Sequence, residues 1–170
     1  MTLSKFWFKR FRQRKLRWKI VKTYRAISTA SVDSIWAKLS DMADVSWNPM
    51  LWSTDAPEGL TAKPGLIFRA MSQWLPVPSH LFIEEVQPNQ FLSIRILALP
   101  GLEERVTYQI AADVKGTFIS YSIMLRGWLT PIFWPFLHLS AQRVAIQLAQ
   151  SNQEKENPTS SNWLSRVIDF

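Results

Sequence analysis

The chain contains no cysteine, only two histidines, only five glycines, and no acidic residue before Asp33. Without cysteine there are no disulfides, no thiolate nucleophile and no thiolate-ligated zinc, which fits a reducing compartment. The histidines, His80 and His138, have no partner at metal-ligand spacing, whereas a metal site needs three or four donors. No metal and no cofactor are therefore expected. The dispersed glycines form no phosphate-cradling loop, and no Gly-x-Ser-x-Gly element is present. Nucleotide chemistry and nucleophilic hydrolysis are disfavoured. The most apolar stretch, 128–139, is interrupted by Thr130, Pro131, Pro135 and His138 and falls short of the roughly 20 residues that span a bilayer.

What is present is an uneven charge. Ten of the twenty basic residues lie in the first 25 positions and all thirteen acids lie later. Residues 1–25 thus carry +10, and the remainder, with ten basic against thirteen acidic residues, carries −3. The segment 1–18 interleaves Lys5, Lys9, Arg10, Arg12, Arg14, Lys15 and Arg17 with Phe6, Trp7, Phe8, Phe11 and Trp18. Charge breaks every apolar pair, so it is not a secretory signal. Its basic residues suit an anionic leaflet, and its rings suit apolar insertion. Nucleic acid or ribosomal RNA uses the same charges and rings. An acid-free, Arg-rich arm also has the composition of an organelle transit peptide, and all three readings stand open.

At 170 residues the chain has the size of one domain with its own core. Residues 19–29 alternate as a first strand. Ser31 then caps a helix that carries Ile35, Trp36 and Leu39 at helical spacing. A second short helix is expected over 42–45, ending before Trp47-Asn48-Pro49. Strands follow near 51–55, 66–74, 79–86, 91–98, 103–112 and 117–126, separated by Pro- and Gly-containing turns. Their close spacing leaves no room for crossover helices, so the sheet is antiparallel. A long amphipathic helix runs from the Pro131–Pro135 region to about Gln153. The fold class is α+β: a curved antiparallel sheet of about seven strands wraps a long C-terminal helix, with two short helices after the first strand. The organisation is an arm (1–18), a ligand-binding domain (19–153), and a polar linker with a short apolar segment (154–170).

The stretch SVDSIWAKLSDMADVSWNPML, 31–51, resembles the START-like helix-grip (SRPBCC) superfamily in its polyketide cyclase and coenzyme Q-binding branch. The matching residues are Ile35, Trp36, Leu39, Ser40, Asp41, Trp47, Asn48 and Pro49. Looser matches are Pro64-Gly65, Glu84-Glu85 with Pro88 and Leu92, and Gly116-Thr117. Lys115 stands where a second glycine is common, and the Trp- and Pro-rich stretch 128–136 is an addition. The resemblance covers roughly 19–150. It implies an elongated apolar cavity under the last helix, and no particular reaction.

Candidate ligand contacts follow from strand alternation and from that cavity. Val106, Tyr108 and Ile110, with Ile119, Tyr121, Ile123 and Leu125, form one apolar face, opposed by Phe133, Leu137 and Val144 of the helix. Trp47 joins them from the Trp-Asn-Pro turn. Arg69 and Arg95 are the strand arginines placed inward, to hold a carboxylate or phosphate. Of the adjacent pairs Glu84-Glu85 and Glu103-Glu104, one member of each can turn inward. His138 on the helix is an acid–base candidate. Trp74, Trp128, Phe133, Trp134 and Phe136 are candidates for a gate or an interfacial foot.

The expected function is binding or carriage of a hydrophobic or amphiphilic molecule of the lipid, quinone or isoprenoid class at a membrane surface. The expected location is cytoplasmic and peripherally membrane-associated. The alternatives are a small cyclase- or dehydratase-type enzyme using the same cavity, and an RNA- or ribosome-interacting protein acting through the arm.

Overall fold

The computed structural model describes residues 18–73 and 77–151. The arm residues 1–17, Trp74 and the 154–170 segment lie outside the described residues. Seven strands form one antiparallel sheet: β1 (Lys19–Ser28), β2 (Leu51–Thr54), β3 (Ile67–Ser72), β4 (Pro78–Gln87), β5 (Phe91–Leu99), β6 (Leu102–Asp113) and β7 (Gly116–Gly127). Two helices complete the fold, α1 (Val32–Ser40) and α2 (Thr130–Ser151). The spatial order is β1-β7-β6-β5-β4-β3-β2. Neighbours from β2 to β7 are consecutive in sequence, as turn-linked strands require.

β1 and β2 occupy opposite edges, so the chain between them must travel the width of the sheet. That crossing carries α1 and the 41–50 loop. Ser31 caps α1, its hydroxyl accepting from the Ser34 amide at 3.2 Å, and Ile35 and Leu39 bury the inner face. The crossing delivers Trp47, Asn48 and Met50 to the interior side of the sheet, where Trp47 and Met50 are buried.

The second short helix expected over 42–45 is not formed. The Asp41 carboxylate accepts from the Ala43 and Asp44 amides, and Asp44 accepts from the Ser46 amide and hydroxyl. These local bonds satisfy the backbone in a turn and compete with the helical ladder. Two acidic turn-formers three residues apart outweigh the apolar spacing.

Bulges at Leu51/Ser53, Ile83/Glu85 and Ile96/Leu99 bend the sheet. α2 packs on β1 and β7 with Val144, Ala145 and Leu148 fully buried. Opposite them Ile119, Tyr121, Ile123 and Leu125 are equally buried, each aliphatic side chain contributing about 1.5–3 kcal/mol. Ser28 fastens the far end, its hydroxyl donating to the Ala149 carbonyl at 2.8 Å. The N-terminal half of α2 reaches over the remaining sheet, and there the two layers part.

Candidate functional site

Where the layers part lies a cavity of about 260 Å³, near the lower end of the roughly 300–1,000 Å³ found for small-molecule sites. Its floor comes from alternate residues of β4, β5 and β6: Leu81, Ile94, Ile96, Leu102, Val106 and Tyr108. Tyr121 of β7 adds to the floor, Met50 and Asn48 of the crossing close one side, and Phe133, Phe136 and Leu137 of α2 form the roof. Phe136 is 59% exposed while lining the cavity, so it stands at the mouth.

One carboxyl points into this apolar space. Glu104 lines the cavity at 8% exposure, and its Oε1 is buried with no hydrogen-bond partner. Burial pushes its pKa up to about 7. Tyr108 and Tyr121 share the space, and their phenols are raised by burial first. The Glu104 charge raises both further, while a hydrogen bond from the Asn48 side chain works against the rise at Tyr108. The Tyr121 hydroxyl donates weakly to Met50 Sδ at 3.5 Å. No Lys, Arg or His is among the described residues that line the cavity.

The sequence-based candidates divide cleanly. Tyr108, Tyr121, Phe133 and Leu137 line the cavity. Ile123, Leu125 and Val144 are fully buried but pack sheet against helix beside it. Trp47 meets the far edge of Tyr108, centroids 6.0 Å apart. It lines a neighbouring void of about 40 Å³ that shares Asn48, Leu51, Leu81, Ile94 and Tyr108 with the main one.

The two inward arginines are corrected. Arg69 is exposed because its strand neighbours Phe68 and Ala70 are the buried ones. Arg95 alternates with Ile94 and Ile96, which line the cavity, so it must face out. There it pairs with Glu84 and approaches Glu103 at 3.6 Å. Arg105 completes the group, Nε to Glu84 Oε2 at 2.8 Å. His138 also misses the cavity lining; its Nδ1 sits 2.8 Å from the Pro135 carbonyl on its own helix. Among the described residues no three His, Cys, Asp or Glu side chains gather as metal ligands.

Glu104 is the site residue that the sequence left undecided. The signal was the alternation of β6: the buried set Val106, Tyr108, Ile110 continues two residues back to Glu104 and again to Leu102. Glu103 and Arg105 then necessarily face out.

No family model matches the sequence, and no curated protein matches it. Solved structures do. The chain is similar to norcoclaurine synthase from Thalictrum flavum in complex with dopamine and hydroxybenzaldehyde, with TM-score 0.63 and 15% identity over 85% of this chain and 91% of that one. It is similar to protein CV1439 from Chromobacterium violaceum, with TM-score 0.57 and 17% identity over 78% of this chain and 96% of that one. It is also similar to Ara h 8.0201, with TM-score 0.61 and 12% identity over 81% of this chain and 99% of that one. At these identities the likeness is one of fold: the chain has the helix-grip architecture, a curved antiparallel sheet around a long C-terminal helix.

Proposed function

We propose that the protein binds or carries a hydrophobic or amphiphilic small molecule of the lipid, quinone or isoprenoid class in the cavity under α2. The cavity itself supports this reading most: an apolar space with, among the described residues, a single inward carboxyl, open at Phe136. Filling such a space with side chains would have been the more stable solution, since voids forfeit packing. The molecule exchanges at an anionic membrane surface. Trp128, Ile132, Phe136 and Leu139 are exposed together around the start of α2, and the basic, aromatic arm supplies the electrostatic attraction. No helix among the described residues is long and apolar enough to cross a membrane.

Native mass spectrometry of the full chain purified from its host, with organic extraction of bound molecules, tests the cavity. A protein that arrives empty and binds none of a panel of prenols, quinones and lipids would end the carrier reading. Flotation with anionic vesicles beside an RNA filter assay tests the surface. Retention of RNA without flotation would transfer the arm to nucleic acid.

Glu104 favours a second reading. A carboxyl poised near neutrality beside two tyrosines is a usable general acid or base, so a cyclase- or dehydratase-type reaction fits the same cavity. Loss of a turnover by about 10²-fold or more in Glu104→Gln, with binding retained, distinguishes enzyme from carrier.

A further inference from the structure

The outward arginines and the inward Glu104 reverse the polarity first expected of the site, and the reversal says what the ligand's polar end must be. A carboxyl buried with no cation nearby favours its uncharged form, because an ion there has neither water nor a counter-charge. Glu104 stands opposite Leu125 on β7 and Ile96 on β5, and it shares the cavity with Leu102, Val106 and Tyr108 of β6, Tyr121 of β7 and Ile94 of β5. From α2 the same cavity is lined by Phe133, Phe136 and Leu137, and from the crossing by Asn48 and Met50. None of these can neutralise a second negative charge.

We propose that Glu104 selects the head group: as a neutral carboxylic acid it donates a hydrogen bond to an uncharged oxygen of the ligand, a carbonyl or hydroxyl, and the cavity rejects carboxylates and phosphates. This rests on the cavity being a ligand site. Among the described residues an anionic head group in this space has no basic residue to pair with, and it meets an acid that repels it whenever that acid ionises. An uncharged oxygen instead supplies the partner that the buried carboxyl lacks. The classes admitted are prenols, ketones, quinones and neutral lipids; free fatty acids and phosphorylated prenols are excluded.

The test uses three eight-carbon probes, methyl hexyl ketone, octanoate and octylamine, in NMR shift titrations of the full-length chain. The ketone is expected to shift the Val106 and Tyr108 amides and to bind at least about tenfold more tightly than octanoate, roughly the effect of one hydrogen bond against an unpaired group. Its affinity should fall about tenfold between about pH 6 and about pH 8, tracking the protonated fraction of Glu104. Glu104→Gln keeps a donor at every pH, so it should hold ketone affinity within about threefold of the low-pH wild type and abolish the pH dependence. Glu104→Leu should still disfavour octanoate but lose both the pH dependence and about tenfold of the low-pH ketone affinity, and it checks that any loss is not unfolding, since leucine suits the apolar surroundings.

Equal binding of octanoate and ketone would overturn the proposal. So would octylamine binding most tightly with affinity rising with pH, which would make Glu104 a counter-ion. Failure of all three probes to shift any cavity residue would instead overturn the ligand-site reading beneath it.

Discussion

Tyr108 and Tyr121 stand directly opposite each other in the β6–β7 ladder, their rings tilted at 42° with centroids 5.1 Å apart. One ring pair thus forms cavity floor and sheet core together. Truncation and hydroxyl removal should therefore separate. Tyr121→Ala leaves a void among fully buried neighbours and should cost about 3–5 kcal/mol in urea denaturation. Tyr121→Phe loses only the weak contact to Met50 and should stay within about 1 kcal/mol.

Stability should depend on pH through Glu104. Its native pKa, raised from 4.5 to about 7, means that the folded state holds the proton longer than the unfolded chain. Unfolding free energy should therefore fall as pH rises from about 4.5 to about 7 and level off above, by up to roughly 3 kcal/mol. Glu104→Gln should flatten that limb, and denaturant midpoints at a series of pH values check it.

Most of the fold was legible, because period-two alternation and proline–glycine turns both act locally. All seven strands fall where those signals place them. The failures are local competitions. At 42–45 apolar spacing read as helix, but Asp41 and Asp44 offered the backbone nearer partners. At the site, chemistry was read ahead of geometry. The anion-holding chemistry of a guanidinium argues for an inward Arg95, whereas Ile94 and Ile96 occupy the cavity face and leave Arg95 outside. Glu104 was visible only as one of two adjacent acids. Alternation already implies the choice, since the inner-face set Val106, Tyr108, Ile110 extends back to Glu104 and leaves Glu103 outside. The contribution of Asn48 and Met50 was not readable from their own segment, since the crossing from one sheet edge to the other places them.

The outer ion group should matter little to binding. Glu84 sits between Arg95 and Arg105, all partly solvated on the face away from the cavity. Glu84→Ala should destabilise by roughly 1 kcal/mol, since water screens such pairs. Arg95→Met should leave ligand affinity unchanged within error. A large affinity loss would mean that the arginine reaches the ligand after all.

Gly101 should be irreplaceable in wild type and less so after one other change. Its φ of 93° suits glycine, and an added Cβ would lie 2.0 Å from Trp128 Nε1. Gly101→Ala should cost at least about 1–2 kcal/mol from backbone conformation alone. Trp128→Ala should recover the steric part, so the double variant should be more stable than the sum of the single ones predicts. Thermal unfolding of the four proteins closes the cycle.

The two halves of α2 are held unequally, and this makes the roof a kinetic device. Pro135 offers no amide hydrogen, so the Pro131 carbonyl lacks its partner in the first turns, and only Thr130 and Leu137 are buried before residue 140. Beyond it, Ala141, Val144, Ala145, Leu148 and the Ser28 bond to Ala149 pin the helix to the sheet. Amides of 132–139 should thus exchange with deuterium by local opening, and those of 144–149 only near the global free energy. On the proposed carrier function, the release rate of a bound molecule should follow the opening of these two turns and stay independent of the stability of the whole.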